Sequence, residues 1–396
     1  MKKLMFSMVC LLLSANLLQA QTESQIEVQT KAQAVAQSPV YAHAAPEAQT
    51  TTDQEQNNDD SGRSKTFSKT FSAGAADKLS LSNQYGNITI KNWDRPEVKA
   101  DIQIVAYSNN DSDAQKLLDE VRIDAGKTGD QIAFSTKIGN EHGNFGSGSR
   151  NGRKWRREVK VNYVVYMPSA IALTVSQQYG NVTMADLSGP LTAKVQYGNF
   201  KAGNLSNLSN NISVQYGNTD VLQINRATIR QQYGTGLTLG TVGQLILDAQ
   251  YTKVHIQTVK RAANTIKIQY GELEIGSIEN LILKAQYTGV SIGNFAGEGG
   301  FNVQYNNLSI GPLSARCKKL VVDAQYVNID VNFADNFNAT YNLRTSYSNF
   351  NHGNSVSAKL VGDDDNSNSK NYTGKIGNGS GAYLQLKSTY GSVDFK

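Results

Sequence analysis

Glu274 and His255 are the residues best placed for acid–base chemistry, because each follows a Gln-Tyr tyrosine (Tyr270 and Tyr251) by four residues. A carboxylate beside an imidazole can pass a proton, provided that a cleft holds a substrate against both. Glu272 adds a carboxylate two residues earlier, and Asp248 and Asp323 share a different position, three residues before a Gln-Tyr tyrosine. Cleavage of a glycosidic bond needs two carboxyl groups converging on one bond. Asp248 and Asp323 lie four repeats apart, so they do not meet that need, and Glu274 with His255 reads as a solvated surface pair.

The four histidines, at 43, 142, 255 and 352, share no metal-ligand spacing, and Cys317 has no nearby Cys or His partner. No metal or cofactor is expected, and no catalytic residues are assigned. The run Asp363-Asp364-Asp365-Asn366 lacks the spacing of a dedicated calcium loop and reads as an acidic tip. The sharpest electrostatic feature is basic: Arg150, Arg153, Lys154, Arg156 and Arg157 surround Trp155. Such a cluster can dock an acidic glycan, a lipid head group or a protein partner, or it can be a solvated glycine-rich loop.

A longer pattern runs beneath these local features. Gln-Tyr pairs end at Tyr179, Tyr197, Tyr216, Tyr233, Tyr251, Tyr270, Tyr287, Tyr305 and Tyr326, at intervals of 17–21 residues. Tyr347 continues the series with Ser346 in place of Gln, and Tyr85 and Tyr390 are isolated look-alikes. Before each tyrosine apolar residues alternate, as in Ile212, Val214, Tyr216, which predicts a strand with the tyrosine on its buried face and the Gln pointing outward. After the tyrosine the parity shifts, with apolar residues three and five later (Val254 and Ile256) and again eight later (Val259). The chain must bend between the two strands. Gly180, Gly198, Gly217, Gly234 and Gly271 sit at that bend, where φ > 0 or tight clearance favours glycine.

Apolar groups aimed inward from three directions, repeated every 17–21 residues, need neighbours above and below to bury them. The expected fold is all-β: a single-stranded parallel β-solenoid (β-helix) of about ten coils, with a β-rich N-terminal cap containing one short helix. An antiparallel meander or barrel would pair unlike positions, whereas stacked coils pair like with like. The outward glutamines Gln178, Gln196, Gln215, Gln232, Gln250, Gln269, Gln286, Gln304 and Gln325 then form one uncharged stripe that can stabilise coils or meet a partner.

The ends depart from the repeat. Lys2 and Lys3 precede an apolar run closing at Leu18-Gln19-Ala20, which reads as a signal peptide over residues 1–20. Its loss would take the formal charge from +5 to +3, too little to argue for nucleic acid, and would remove Cys10, leaving Cys317 unable to form an intrachain disulfide. No later stretch is long and apolar enough for a spanning helix. Residues 21–65, polar and nearly without aromatics, read as a disordered linker. Residues 66–169 read as a first coil (Leu79 to Ile90) and the cap, with a helix from Ser112 carrying Ala114, Leu117, Leu118 and Val121. Residues 170–351 are the solenoid, and 352–396 a polar loop followed by a closing strand pair around Leu384, Leu386, Val393 and Phe395.

The opening QYGNITIKNWDRPEV, the segment VNYVVYMPSAIALTVSQQYGNVTMADLSG and the QYG coils after it resemble a family of bacterial envelope adhesin-like proteins built of β-strand repeats, otherwise a domain of unknown function. The resemblance spans roughly Phe67 to Lys396 and rests on structural motifs. It implies an exported, non-enzymatic interaction or structural scaffold of the cell envelope, in the periplasm, at the outer membrane or on the cell surface, with an envelope protein or surface glycan as partner. A β-helix carbohydrate-active enzyme and a periplasmic sensing or stress protein are the alternatives.

Overall fold

The computed structural model describes residues 61–139, 145–150, 153–261, 263–362 and 368–396, and for Ser61, Arg150, Arg153 and Lys154 the backbone alone. The signal peptide, most of the expected linker, His43, His142 and the Asp363–Asn366 run lie outside the described residues.

The chain forms a parallel β-solenoid, and its repeat sets the register. Strands β11 (Leu191–Gln196) and β13 (Asn210–Gln215) pair in parallel with Gln196 opposite Gln215. The same match continues through β14 (Thr219–Gln232), β15 (Leu237–Gln250), β17 (Thr265–Ile278), β18 (Leu281–Phe295), β19 (Glu298–Leu313) and β20 (Lys319–Phe333), where Gln304 faces Gln325. Like residues therefore stack on like. Ile212, Val214 and Val221 are buried, as are Leu205, Ile224, Val259, Ile278 and Leu313 eight after the tyrosine. These columns make one continuous apolar core along the stack.

The tyrosine assignment is corrected by the structure. Every repeat tyrosine has φ between 51° and 57°, the left-handed region. That conformation ends the alternation one residue early and swings the ring out of the core. Eleven of these rings are 38–58% exposed, while the preceding glutamines are mostly half-buried rather than fully outward. Glycines after the tyrosine serve the other purpose expected of them. A Cβ on Gly217 would lie 1.8 Å from the carbonyl oxygen of Gly198, so the corner backbones approach too closely for any side chain.

Both ends are built out of sequence order. The first coil, β2 (Lys78–Gln84) and β3 (Ile88–Asn92), pairs on one side with β9 (Ala172–Gln178) and β10 (Val182–Met184). Its other side is covered by cap strands β6 (Gln131–Ile138) and β8 (Arg153–Met167). Strand β4 (Glu97–Ser108) joins β8 and β1 (Ser61–Ser72) antiparallel, and β5 (Val121–Thr128) joins β6. Because β1 starts at Ser61, residues 61–65 belong to the folded cap and not to a linker. Helix α1 (Asp111–Asp119) is capped by Asn110, whose side chain accepts from the Asp113 N–H, and it buries Ala114, Leu117 and Leu118. Val121, expected on the helix, opens β5.

At the far end β24 (Ala382–Phe395) is not a closing pair. It lies in parallel between β20 and β21 (Ala339–His352). The expected polar loop holds β22 (Val356–Leu360) and β23 (Ser369–Ile376), antiparallel to each other, and β23 covers half of β21. Buried Val356 and Ile376 hold them down and reduce the open parallel edge.

Candidate functional site: a tyrosine corner

The outward tyrosines form one unbroken stack. In spatial order the rings are Tyr85, Tyr179, Tyr197, Tyr216, Tyr233, Tyr251, Tyr270, Tyr287, Tyr305, Tyr326, Tyr390 and Tyr347. Neighbouring centroids are 4.6–5.2 Å apart and the planes lie within 2–12° of parallel. The two look-alikes at Tyr85 and Tyr390 are thus full members. Phe145 closes one end against Tyr85 at 5.4 Å, whereas Tyr347 at the other end is the most exposed ring, at 58%.

Two polar columns brace the corner. Gln196 donates to Gln215 at 2.9 Å, Gln232 to Gln250 at 3.1 Å, Gln269 to Gln286 at 3.0 Å, and Gln84 to Gln178 at 2.8 Å. On the other flank the backbone N–H of Asn199 donates to the side-chain oxygen of Asn181, and that of Asn218 to Asn199, each at 2.8 Å. These asparagines supply a carbonyl where the turn leaves the ladder short of one, which accounts for the QYGN form of the early repeats.

Charge is arranged around the corner rather than on it. The residues before, at and after each stacked tyrosine are Gln, Thr or Ser, then Tyr, then Gly, Thr, Asn, Val or Ser, with no ionised group on any of the twelve rungs. Columns farther out carry the charges: Arg230 pairs with Asp248 at 3.6 Å, Lys253 with Glu272 at 3.1 Å and Lys387 with Asp323 at 3.6 Å, while Lys267 and Lys284 follow Asp248 in the same column. Glu274 and His255 do meet across neighbouring coils, at 3.1 Å, as an exposed pair on an open face. Among the described residues no group of three or more His, Cys, Asp or Glu is placed to hold a metal, and no helix is long and apolar enough to cross a membrane.

The basic cluster belongs to strands rather than to a loop. Trp155, Arg156 and Arg157 lie on β8, paired antiparallel with β7 (Gly146–Arg150), and a Cβ on Gly148 would come within 2.9 Å of the Trp155 ring nitrogen. Arg156 donates to Glu158 at 2.7 and 2.9 Å, with its guanidinium carbon 3.7 Å from the centre of the Tyr107 ring. Burial pushes the Glu158 carboxyl up, but the hydrogen bonds from Arg156 and Lys160 outweigh it and leave the group below its ordinary value. Arg157 sits 6.0 Å from the Phe145 ring. Arg157 thus lies beside the closed end of the stack, while Arg156 packs on Tyr107 in the cap. Sequence reading missed the tyrosines as surface residues; the parity shift after each one was the visible sign of the bend.

No known family profile matches the chain, and no curated protein does. Among solved structures it is similar to a candidate adhesin from Parabacteroides distasonis, at 10% identity over 84% of this chain and 97% of that one, with a TM-score of 0.30. A candidate lipid-binding protein from the same species shows 10% identity over 84% and 96%, with a TM-score of 0.24. A candidate cell-adhesion protein from Clostridium sporogenes shows 11% identity over 84% and 99%, with a TM-score of 0.17. At these TM-scores none of the likenesses bears on what this chain binds.

Proposed function

We propose that the chain is a non-catalytic, adhesin-like interaction scaffold of a bacterial cell envelope whose contact face is the tyrosine corner. The single observation that carries this reading is the choice of tyrosine at a left-handed position twelve times over. A non-glycine residue there costs about 1–2 kcal/mol. Each added rung gains one stacked neighbour, at about 0.5–1.5 kcal/mol. The stack offsets the strain without clear surplus, and Gly or Asn would fold the same corner without it. Stability alone does not account for the tyrosines; a regular exposed surface does. Strained backbone kept in place by its surroundings is common at functional sites.

The test compares binding of the wild-type protein to isolated envelopes with that of two variants. One replaces Tyr233, Tyr251 and Tyr270 by Asn, which keeps the left-handed turn, and the other replaces Arg156 and Arg157 by Ala. Loss of binding in the tyrosine variant alone is expected. Loss confined to the arginine variant would move the contact face to the cap.

A further inference from the structure

We infer that the corner takes an unbranched, neutral glycan laid along the solenoid axis, an inference that rests on the corner being the contact face. Three independent features of the strip select this ligand over other polymers. First, it is uncharged on all twelve rungs, in columns bounded by charged ones. A nucleic acid, a uronic-acid polymer or an anionic lipid surface would find no counter-charge on the tyrosine and glutamine columns themselves, and the flanking column that carries Lys194, Arg230, Lys267 and Lys284 also carries Asp248 and Asp323.

Second, the strip offers hydroxyl groups that the protein does not use. Tyr163 bonds to Thr136 at 2.8 Å and Tyr341 to the Ser357 carbonyl at 2.9 Å, but none of the twelve stacked tyrosines has a hydroxyl bonded to another described residue. With ring faces spent on one another, what remains outward is ring edge and phenol oxygen. The adjacent glutamines bond along their column in pairs and one triplet, Gln269 donating one N–H to Gln286 and Gln286 one to Gln304, and each keeps at least one N–H and one lone pair. Alternating hydroxyl, C–H edge and amide suits a polyhydroxylated ring with polar equatorial groups and apolar C–H patches.

Third, the repeat fits. The rungs recur every 4.6–5.2 Å with neighbouring ring planes within 2–6° of parallel. Side chains on one face of an extended peptide recur at about 6.8 Å, so a peptide strand laid along the axis falls out of step within a few rungs. An extended β-1,4-linked pyranose chain advances about one sugar per rung and turns each sugar over relative to the last, so contacts made on one rung recur on every second rung. Each contact is weak and the number grows with chain length, so affinity accumulates with the length of the glycan.

The experiment uses the full protein with cello-oligosaccharides of increasing length, soluble cellulose and polygalacturonate, by affinity electrophoresis and calorimetry at low and high salt. Binding of the neutral glycans should strengthen with length and ignore salt. The Tyr233, Tyr251, Tyr270→Asn triple should lose about tenfold or more, equivalent to about 1.4 kcal/mol. The matching Tyr→Phe triple keeps the stack and should weaken binding by a smaller factor, separating hydroxyl from ring contributions. Retention of polygalacturonate alone, or unchanged binding by a folded Asn triple, overturns the inference. Ladder-dependent binding of envelopes with no affinity for any neutral glycan overturns the ligand class and leaves the contact face standing. Self-association that the Asn triple dissolves would make a second copy the occupant instead.

Discussion

The ring of Tyr390 stacks on that of Tyr326 at 4.9 Å, although Tyr347 is the next tyrosine of the stack to follow Tyr326 in the chain. Tyr347 is displaced by one rung and stacks on the far side of Tyr390 at 5.0 Å. The stack is therefore a property of the folded body and not of chain order, and perturbing single rungs tests it.

Tyr251 should behave as a surface residue. Tyr251→Ala forfeits two stacked neighbours, at 4.8 and 5.1 Å, and should cost about 1–3 kcal/mol. Ile268→Ala, at a fully buried site, should cost about 2–5 kcal/mol. Tyr251→Asn should cost less than Tyr251→Ala, because Asn tolerates a φ of 51°. Denaturant melts of the three rank them, and Tyr251→Ala emerging as the most damaging would return that ring to the core.

Corner glycines should divide sharply from loop glycines. A Cβ on Gly198 would lie 1.9 Å from the Gly180 oxygen, so Gly198→Ala must push two coils apart. Gly236→Ala meets nothing within 4 Å and should fall within about 0.5 kcal/mol of wild type. Thermal melts of the pair decide it; equal melting temperatures would contradict the close approach.

Removing Tyr251 through Gln269 joins Gln250 to Tyr270 and restores the Gln-Tyr step, because Gln250 lies opposite Gln269 and Tyr251 stacks on Tyr270. The product should fold with one ring fewer in the stack, because each coil depends on its neighbours alone. Removing Tyr251 through Lys260 breaks the register and should unfold the C-terminal part. Circular dichroism and limited proteolysis distinguish the outcomes.

Alkaline pH should weaken the N-terminal cap. Burial pushes the Tyr163 phenol up to about 12, partly countered by its bond with Thr136. An unfolded tyrosine ionises near about 10. Between those values the unfolded chain loses this proton and the folded one keeps it, so stability is full below the lower value and falls as pH rises toward the upper. Tyr163→Phe should flatten that part of the decline in melts across the range. An identical slope in the variant would assign the loss to other groups.

The repeat was legible because core and ladder both follow local spacing: Ile212, Val214 and Ile224 announce their inward faces in any register. The direction of Tyr216 was not, because the alternation Ile212, Val214, Tyr216 continues on paper through a residue whose φ of 56° breaks it in space. Helix α1 was legible from its apolar face, and its expected start at Ser112 falls one residue after the observed start at Asp111. The places of β24 and of the first coil were hidden, since each depends on partners far away in the chain.

The position of β24 between β20 and β21 also sets how the body responds to force. A parallel stack with its last strand on the outside can be peeled one coil at a time, each step breaking a single ladder. Here a pull on Lys396 must draw β24 out from between two neighbours, so both of its ladders are strained together. Traction from that side therefore meets a mechanical clamp before it meets the repeats.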